Sequence, residues 1–176
     1  MDGDLDDGTI SLRMRRATDL PAIMAASEDP ATQMWLDDEP LTEGDAAASL
    51  RRTAEAWASR ERAPLVIADT TTAPLGLINL RLISMSTATV AYSVFPAARG
   101  QGIAPRAVKI LARWAFAQLQ IDTLVLEADA RNLPSIRVAE KSGFRRQPDR
   151  MDDQNSEDIR RLAVFELHRS DTRPTD

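Results

Sequence analysis

RGQGIA, residues 99–104, joins the alternating run TATVAYSVF (87–95) to PRAVKILARWAFAQL (105–119). In the second run Ala107, Val108, Leu111, Ala115 and Leu119, with Ala104 ahead of them, fall on one helical stripe, so a strand hands over to a helix through two glycines. Glycine lets backbone approach a ligand closely. The first turn of a helix offers N–H groups without intrahelical partners, together with the positive end of the helix dipole. Arg99 adds a charge-assisted donor, and Pro105 fills a first-turn position where its missing N–H costs nothing. The junction reads as a receptor for phosphate, against the plainer reading of a tight turn.

Spacing separates three phosphate-binding patterns. A nucleotide-triphosphate loop needs Gly, four residues and then Gly-Lys-Ser/Thr, and no such lysine follows here. The dinucleotide fingerprint begins well at Gly100 and Gly102. Pro105 then stands where the third glycine belongs, and the preceding strands are hairpin-connected and open no βαβ unit. The third pattern is Q/R-x-x-G-x-G/A, and Arg99, Gly102 and Ala104 meet it.

Working outward, ISLRMR (10–15) alternates as a strand and DLPAIMAAS (19–27) suits a short helix. Thr42 with Asp45 three positions on reads as the cap of a helix over 43–61. LVIAD (65–69), PLGLINLRLI (74–83) and the run at 87–95 are separated by short turns, as antiparallel hairpins are. After the helix that ends near 119, TLVLEADA (123–130) is a strand and a helix follows over 134–142, stopping at Gly143. FRRQ and IRRLAVFEL (159–167) close the chain as strands, with MDDQNSED between them as a loop. The order predicts a mixed α/β layer architecture. Residues 10–169 read as a single domain between an acidic tail (1–9) and a C-terminal tail (170–176).

Composition narrows the chemistry. The 176 residues suit one domain with a real core, and 43% apolar with 28% charged is ordinary for a globular protein. Without cysteine there is no disulfide, thiolate zinc site or cysteine nucleophile. The single histidine, His168, sits near the chain end and reads as a surface residue. A net charge of −5 disfavours nucleic acid as a partner, and no stretch approaches a membrane span. The acidic start MDGDLDDGT is unlike a secretory signal, so a cytoplasmic location is expected.

The loop resembles that of GNAT-superfamily N-acyltransferases. DARNLPSIRVAEKSGF (129–144) is similar to the N-x-x-S-x-x-x-x-E-K-x-G-F segment of the RimJ/RimL-type subgroup, which acetylates ribosomal-protein N-termini. The resemblance implies the GNAT fold, a central, mostly antiparallel sheet of about seven strands flanked by helices. It also implies an N-acetyltransferase with acetyl-CoA (coenzyme A) as cofactor and an amine acceptor as partner, with a homodimer left open. By the same resemblance the loop, Arg99, Gly100, Gln101, Gly102, Ile103 and Ala104, takes the pyrophosphate. The strand end, Val94 and Phe95, meets the pantetheine arm, and Asn132 and Ser135 contact the cofactor.

Three catalytic assignments follow. A backbone N–H near Tyr92 serves as oxyanion donor, a function whose removal costs a factor of ~100 to 1000 in rate. Many family members carry a tyrosine before the E-K pair to protonate the departing thiolate; here Ala139 stands there, and Ser135 is the alternative. The usual strand glutamate is also missing, since Thr87, Ala88 and Thr89 occupy its stretch. Glu127 is the first candidate base, with Glu28, Asp37 and Asp38 behind it. Trp35 is read as a wall of the acceptor groove, and Trp57 and Trp114 as core or groove lining.

A weak base bears on the acceptor. A lysine amine of pKa ~10.4 costs roughly 4.6 kcal/mol to deprotonate at neutral pH, an α-amine near ~7.8 only about 1.1 kcal/mol. The expectation is therefore a peptide N-terminus or a low-pKa small amine. A cofactor-binding sensor without turnover and a transferase that detoxifies an antibiotic amine are the competing readings.

Overall fold

The computed structural model describes residues 5–35, 40–152 and 160–172. The strands are β1 (Ile10–Arg13), β2 (Arg62–Asp69), β3 (Pro74–Leu82), β4 (Thr87–Val94), β5 (Thr123–Asp129), β6 (Arg145–Arg146), β7 (Arg150–Asp152) and β8 (Arg160–His168). They form one eight-stranded open sheet in the order β1-β2-β3-β4-β5-β8-β6, with β7 also on β8. Every described pairing is antiparallel except β4 with β5. The helices are α1 (Leu20–Ser27), α2 (Pro30–Gln33), α3 (Glu43–Ser59), α4 (Ile103–Gln118) and α5 (Leu133–Lys141).

The stripe read from the sequence is the buried face of α4: Ala104, Ala107, Val108, Leu111 and Ala115 are all covered. They pack on Ile78, Leu80, Ala88, Val90, Leu124 and Leu126, the alternate residues of three strands. Helix α5 covers the same face through Ile136 and Ala139. On the opposite face α1 packs Ile23 and Ala26 against Phe95, and α3 lies on β2. Trp57 of α3 and Trp114 of α4 meet edge to face, with ring centroids 6.1 Å apart. Thr42 caps α3 reciprocally with Asp45, as the sequence predicts.

Several boundaries differ from the sequence reading: α3 stops at Ser59 and β2 already starts at Arg62. Strand β1 ends at Arg13, whose guanidinium turns to buried Asp19 in a two-point ion pair of 2.7 and 2.8 Å. Residues 5–9, read as tail, fold back: Leu5 is buried and accepts from the Leu12 N–H, and Asp7 pairs with Arg106 of α4. The stretch read as a loop from 151 opens with the last residues of β7, and Asp171 anchors the C-terminal end on Arg145.

One feature of the sheet positions the site. Strands β4 and β5 pair only at Thr87–Thr123, Ala88–Leu124 and Thr89–Val125. Beyond Thr89, β4 stays with β3 as far as Val94–Gly76, and β5 stays with β8 along its whole length, so the two strands part. Gly76 makes the first of these possible. A Cβ there would stand 2.5 Å from the Ser93 carbonyl oxygen and 3.0 Å from the Val94 Cα, so only glycine lets β4 run this close to β3.

Candidate active site

The parting exposes one edge of β4, and hydrogen-bond parity decides which groups lie on it. The Phe95 N–H donates to the Leu75 carbonyl and the Ile83 N–H to that of Thr87, so the odd-numbered residues of β4 face β3. Tyr92 and Val94 accordingly turn their N–H and C=O groups to the side β5 has left. The Val94 carbonyl accepts from the Arg99 Nε at 3.1 Å.

At the end of this edge the chain turns into α4. Gly100 and Gly102 have φ of +76° and +73°, a region open to glycine, and an added Cβ would meet nothing within 4 Å at either. The glycines answer a demand of backbone angle and leave the loop face open. Gly102 is the N-cap of α4, so no side chain satisfies the first-turn N–H groups, which stay directed at the cleft. The side chains of Ile103 and Ala104 are buried, which leaves those two residues only their backbone to offer a ligand. Gln101 bonds back to the Ala97 carbonyl at 2.9 Å. Arg99 is turned aside from the loop: its guanidinium holds Asp29 at 2.8 Å and Thr32 Oγ1 at 2.7 Å, tying α2 to the end of β4.

The other wall is the start of α5. Asn132 is its N-cap, accepting from the Ser135 N–H at 3.1 Å, and this fixes Ser135 in the first turn. The Ser135 hydroxyl and the Tyr92 hydroxyl share a hydrogen bond of 3.0 Å across the cleft. Burial pushes the Tyr92 phenol above its usual pKa, only partly offset by the bond to Ser135, so it is a protonated donor at neutral pH. Tyr92, Val94, Gly100, Gly102, Ile103, Ala104, Asn132 and Ser135 line one cavity of about 510 Å³, with Trp35 and Thr32 at one side. Arg137 and Lys141, one turn apart on α5, line it as well. Those two cations lay outside the sequence reading, although a basic i, i+4 pair following N-x-x-S was the available signal.

Other predicted residues lie elsewhere. Glu127 falls between Leu126 and Ala128, which are buried under the helices, so alternation turns it to the opposite face. There it makes a two-point pair with Arg150 at 3.1 Å, away from Tyr92 and Ser135. Phe95 also turns to that face, where its ring packs on Ile23 and Ala26. Glu28 is exposed and lines none of these cavities; Asp37 and Asp38 lie outside the described residues. His168 contacts Thr123 and Glu166 at the far end of the sheet. Among the described residues lining the Tyr92 cavity there is no carboxylate. No cluster of described residues could hold a metal ion, and no described helix is long and apolar enough to cross a membrane.

A second cavity, of about 580 Å³, lies under α1 and α3 and shares Thr32 and Ser93 with the first.

A parted parallel strand pair beside an uncapped, glycine-led helix start is the arrangement that the resemblance to the acyltransferases implies. Residues 10–145 match the acetyltransferase (GNAT) domain, and the chain belongs to that family. It is an N-acetyltransferase with acetyl-CoA as donor. The fold is similar to that of ribosomal-protein-S5-alanine acetyltransferase from Vibrio fischeri, with a TM-score of 0.78, 16% identity and coverage of 98% of this chain and 100% of that one. It is also similar to spermidine N-acetyltransferase from Vibrio cholerae in complex with CoA and spermine (TM-score 0.78, 17% identity, coverage 94% and 98%). The ribosomal L7/L12 alpha-N-protein acetyltransferase RimL in complex with coenzyme A gives a TM-score of 0.81 at 15% identity, covering 94% and 98%. Among curated proteins none matches the sequence significantly.

Proposed function

We propose that the chain acetylates a primary amine of low pKa, foremost a peptide N-terminal α-amine, by direct attack on the thioester. The observation that carries this reading is the cavity itself, which joins a protonated Tyr92–Ser135 pair to the start of α4 and has no carboxylate among its described lining residues. A site without a base at hand favours an amine that is already neutral, and the α-amine needs about 1.1 kcal/mol for this against roughly 4.6 for lysine.

Acetyl-CoA supplies the activated acyl group, and the rest falls to named groups of the chain. First-turn N–H groups of α4, from Gly102 to Ala104, bind the diphosphate, with Arg137 and Lys141 adding positive charge from α5. The Val94 edge orients the arm, and the Tyr92 N–H receives the negative charge that develops on the carbonyl oxygen. The amine enters past Ser93; as its N–C bond forms, the C–S bond breaks. Ser135 passes a proton to the leaving sulfur and recovers one from the Tyr92 hydroxyl, and the proton that the amine gives up to water is returned from water to Tyr92, so that both hydroxyls end as they began. Asn132 positions Ser135 through the cap. Arg99 holds α2 against β4, which places Thr32 and Trp35 at the acceptor side. Glu127 has no part in this scheme.

The neighbouring proteins named above act on protein N-termini and on spermidine, so both acceptor classes belong in the test. CoA release is measured with α-amine peptides, Nα-blocked lysine peptides and polyamines across pH 6 to 10. The reading expects kcat/KM to be highest for the α-amine and to rise with pH through that amine's own pKa. Equal turnover of the blocked lysine peptide at neutral pH would overturn it.

A further inference from the structure

Although the chain carries a net charge of −5, three arginines, Arg15, Arg52 and Arg62, line the second cavity. The one carboxylate among its described lining residues, Asp45, is engaged in the α3 cap, where it accepts from the Thr42 hydroxyl at 2.6 Å. Arg15 is half-buried, and its guanidinium donates to an uncharged group, the Ser49 hydroxyl, at 2.9 Å. The acid whose charge favours it, Asp19, is already held at two points by Arg13. Burial, and after it the like charge of Arg52, oppose protonation of Arg15 against the help of Asp19. Among the described residues this guanidinium has no carboxylate partner of its own. A half-buried Arg15 guanidinium without a carboxylate of its own, with the like charge of the exposed Arg52 beside it, favours an incoming anion, which relieves both penalties at once. The same cavity holds a second unmet group: Asn79 Oδ1 is buried without a hydrogen-bond partner.

We propose that this cavity selects amine acceptors bearing a carboxylate or phosphate, with Arg15 and Arg52 binding the anion and Asn79 receiving an N–H of the acceptor. The proposal rests on the preceding reading that the amine enters past Ser93, which lines both cavities. The amine lies at the Ser93 end and the anion at the arginine end. A polyamine lacks the group that the arginines bind and meets their repulsion instead.

Matched acceptor pairs test this by CoA release from acetyl-CoA. The peptide Ser-Glu-Glu is compared with Ser-Gln-Gln, and O-phosphoethanolamine with ethanolamine; the two pairs separate a protein acceptor from a small one. The anionic member of at least one pair is expected to lead in kcat/KM by about tenfold or more, through KM, as one charge-assisted contact supplies. This lead shrinks as salt is raised. Arg52→Gln should collapse the ratio and Arg52→Glu invert it, whereas Arg51→Gln, on the exposed face outside the cavity, keeps it. Arg15→Lys and Arg15→Gln give the same comparison at the more buried position, and the exposed Arg52 serves if either fails to fold. Equal turnover within both pairs, or a ratio indifferent to both Arg52 variants, overturns the proposal while leaving the acetyl transfer reading intact. Calorimetry with N-acetyl-Ser-Glu-Glu and inorganic phosphate reads the anion site even if no amine turns over. Heat lost in Arg52→Glu supports it, and absence of binding to the wild type overturns it.

Discussion

Tyr92 and Ser135 lie 43 residues apart in the chain, and their hydroxyls meet at 3.0 Å where β4 and β5 part. If the pair works as one relay to the leaving sulfur, Tyr92→Phe and Ser135→Ala should each lower kcat about a hundredfold. The double variant should lose little more than either single one, because groups that act in series are not additive. The raised phenol pKa keeps the donor protonated to above pH ~10, so any alkaline fall in kcat should start above that value and vanish in Tyr92→Phe. Rate measurements from pH 7 to 11 check both points. Ser135 and Asn132 were legible because they belong to one local segment. The Tyr92 hydroxyl was not, since its partner depends on how two distant elements pack. Arg99 shows the converse: its type and position suit phosphate, yet the nearby Asp29 and Thr32 hold its guanidinium more closely.

Asp19 carries the other residue-scale prediction. Its burial alone raises its pKa, but the Arg13 pair and the Arg16 N–H outweigh this and lower it. A folded pKa below the unfolded value of ~3.9 gives stability that is present above about pH 4 and lost as pH falls through the folded value. Asp19→Asn leaves Arg13 half-buried without its charge partner and should cost about 3 kcal/mol at neutral pH. It should also flatten the loss of stability on acidification. Urea midpoints between pH 2 and 7 measure both effects.

At the scale of elements, the strands, the capped helix α3 and the striped helix α4 could be read from periodicity because each buries one face. Short pieces held by tertiary contacts alone could not. Strand β7 and the returning segment at 5–9 carry too few apolar residues to show a period, and they gain their place from β8 and from Leu12 and Arg106. The two glycines that shape the site differ in kind. Gly76→Ala places a Cβ against backbone and should destabilise by about 1 to 3 kcal/mol, with weaker CoA binding as β4 is pushed at Ser93 and Val94. Gly102→Val meets open space but a backbone angle it rarely adopts. The fold should survive a penalty of about 1 to 2 kcal/mol, while CoA affinity measured by calorimetry falls at least tenfold. Thermal melts separate the two cases.

For the whole molecule, the sheet acts as a partition. Helices α4 and α5 lie around the open edge of β4, while α1, α2 and α3 enclose the second cavity, and the two cavities share Ser93 and Thr32 in their linings. The sequence motifs all fall on the side of α4 and α5, where the proposed diphosphate contacts come from consecutive backbone groups and so need fixed local spacing. The second cavity, the proposed acceptor side, is assembled from single residues on separate elements, Arg15, Arg52 and Asn79 among them, and has no linear signature. Glu127 likewise is of the right type for a base, but strand alternation sets it on the face turned away from the Tyr92–Ser135 pair.

The nitrogen that receives the acetyl group tests the low-pKa acceptor. One peptide with both a free N-terminus and an internal lysine, incubated with acetyl-CoA at pH 7 and sequenced by mass spectrometry, answers this directly. The predicted product carries a single acetyl group on the α-nitrogen. Acetylation of the lysine side chain in preference to the N-terminus would contradict a cavity with no carboxylate among its described lining residues.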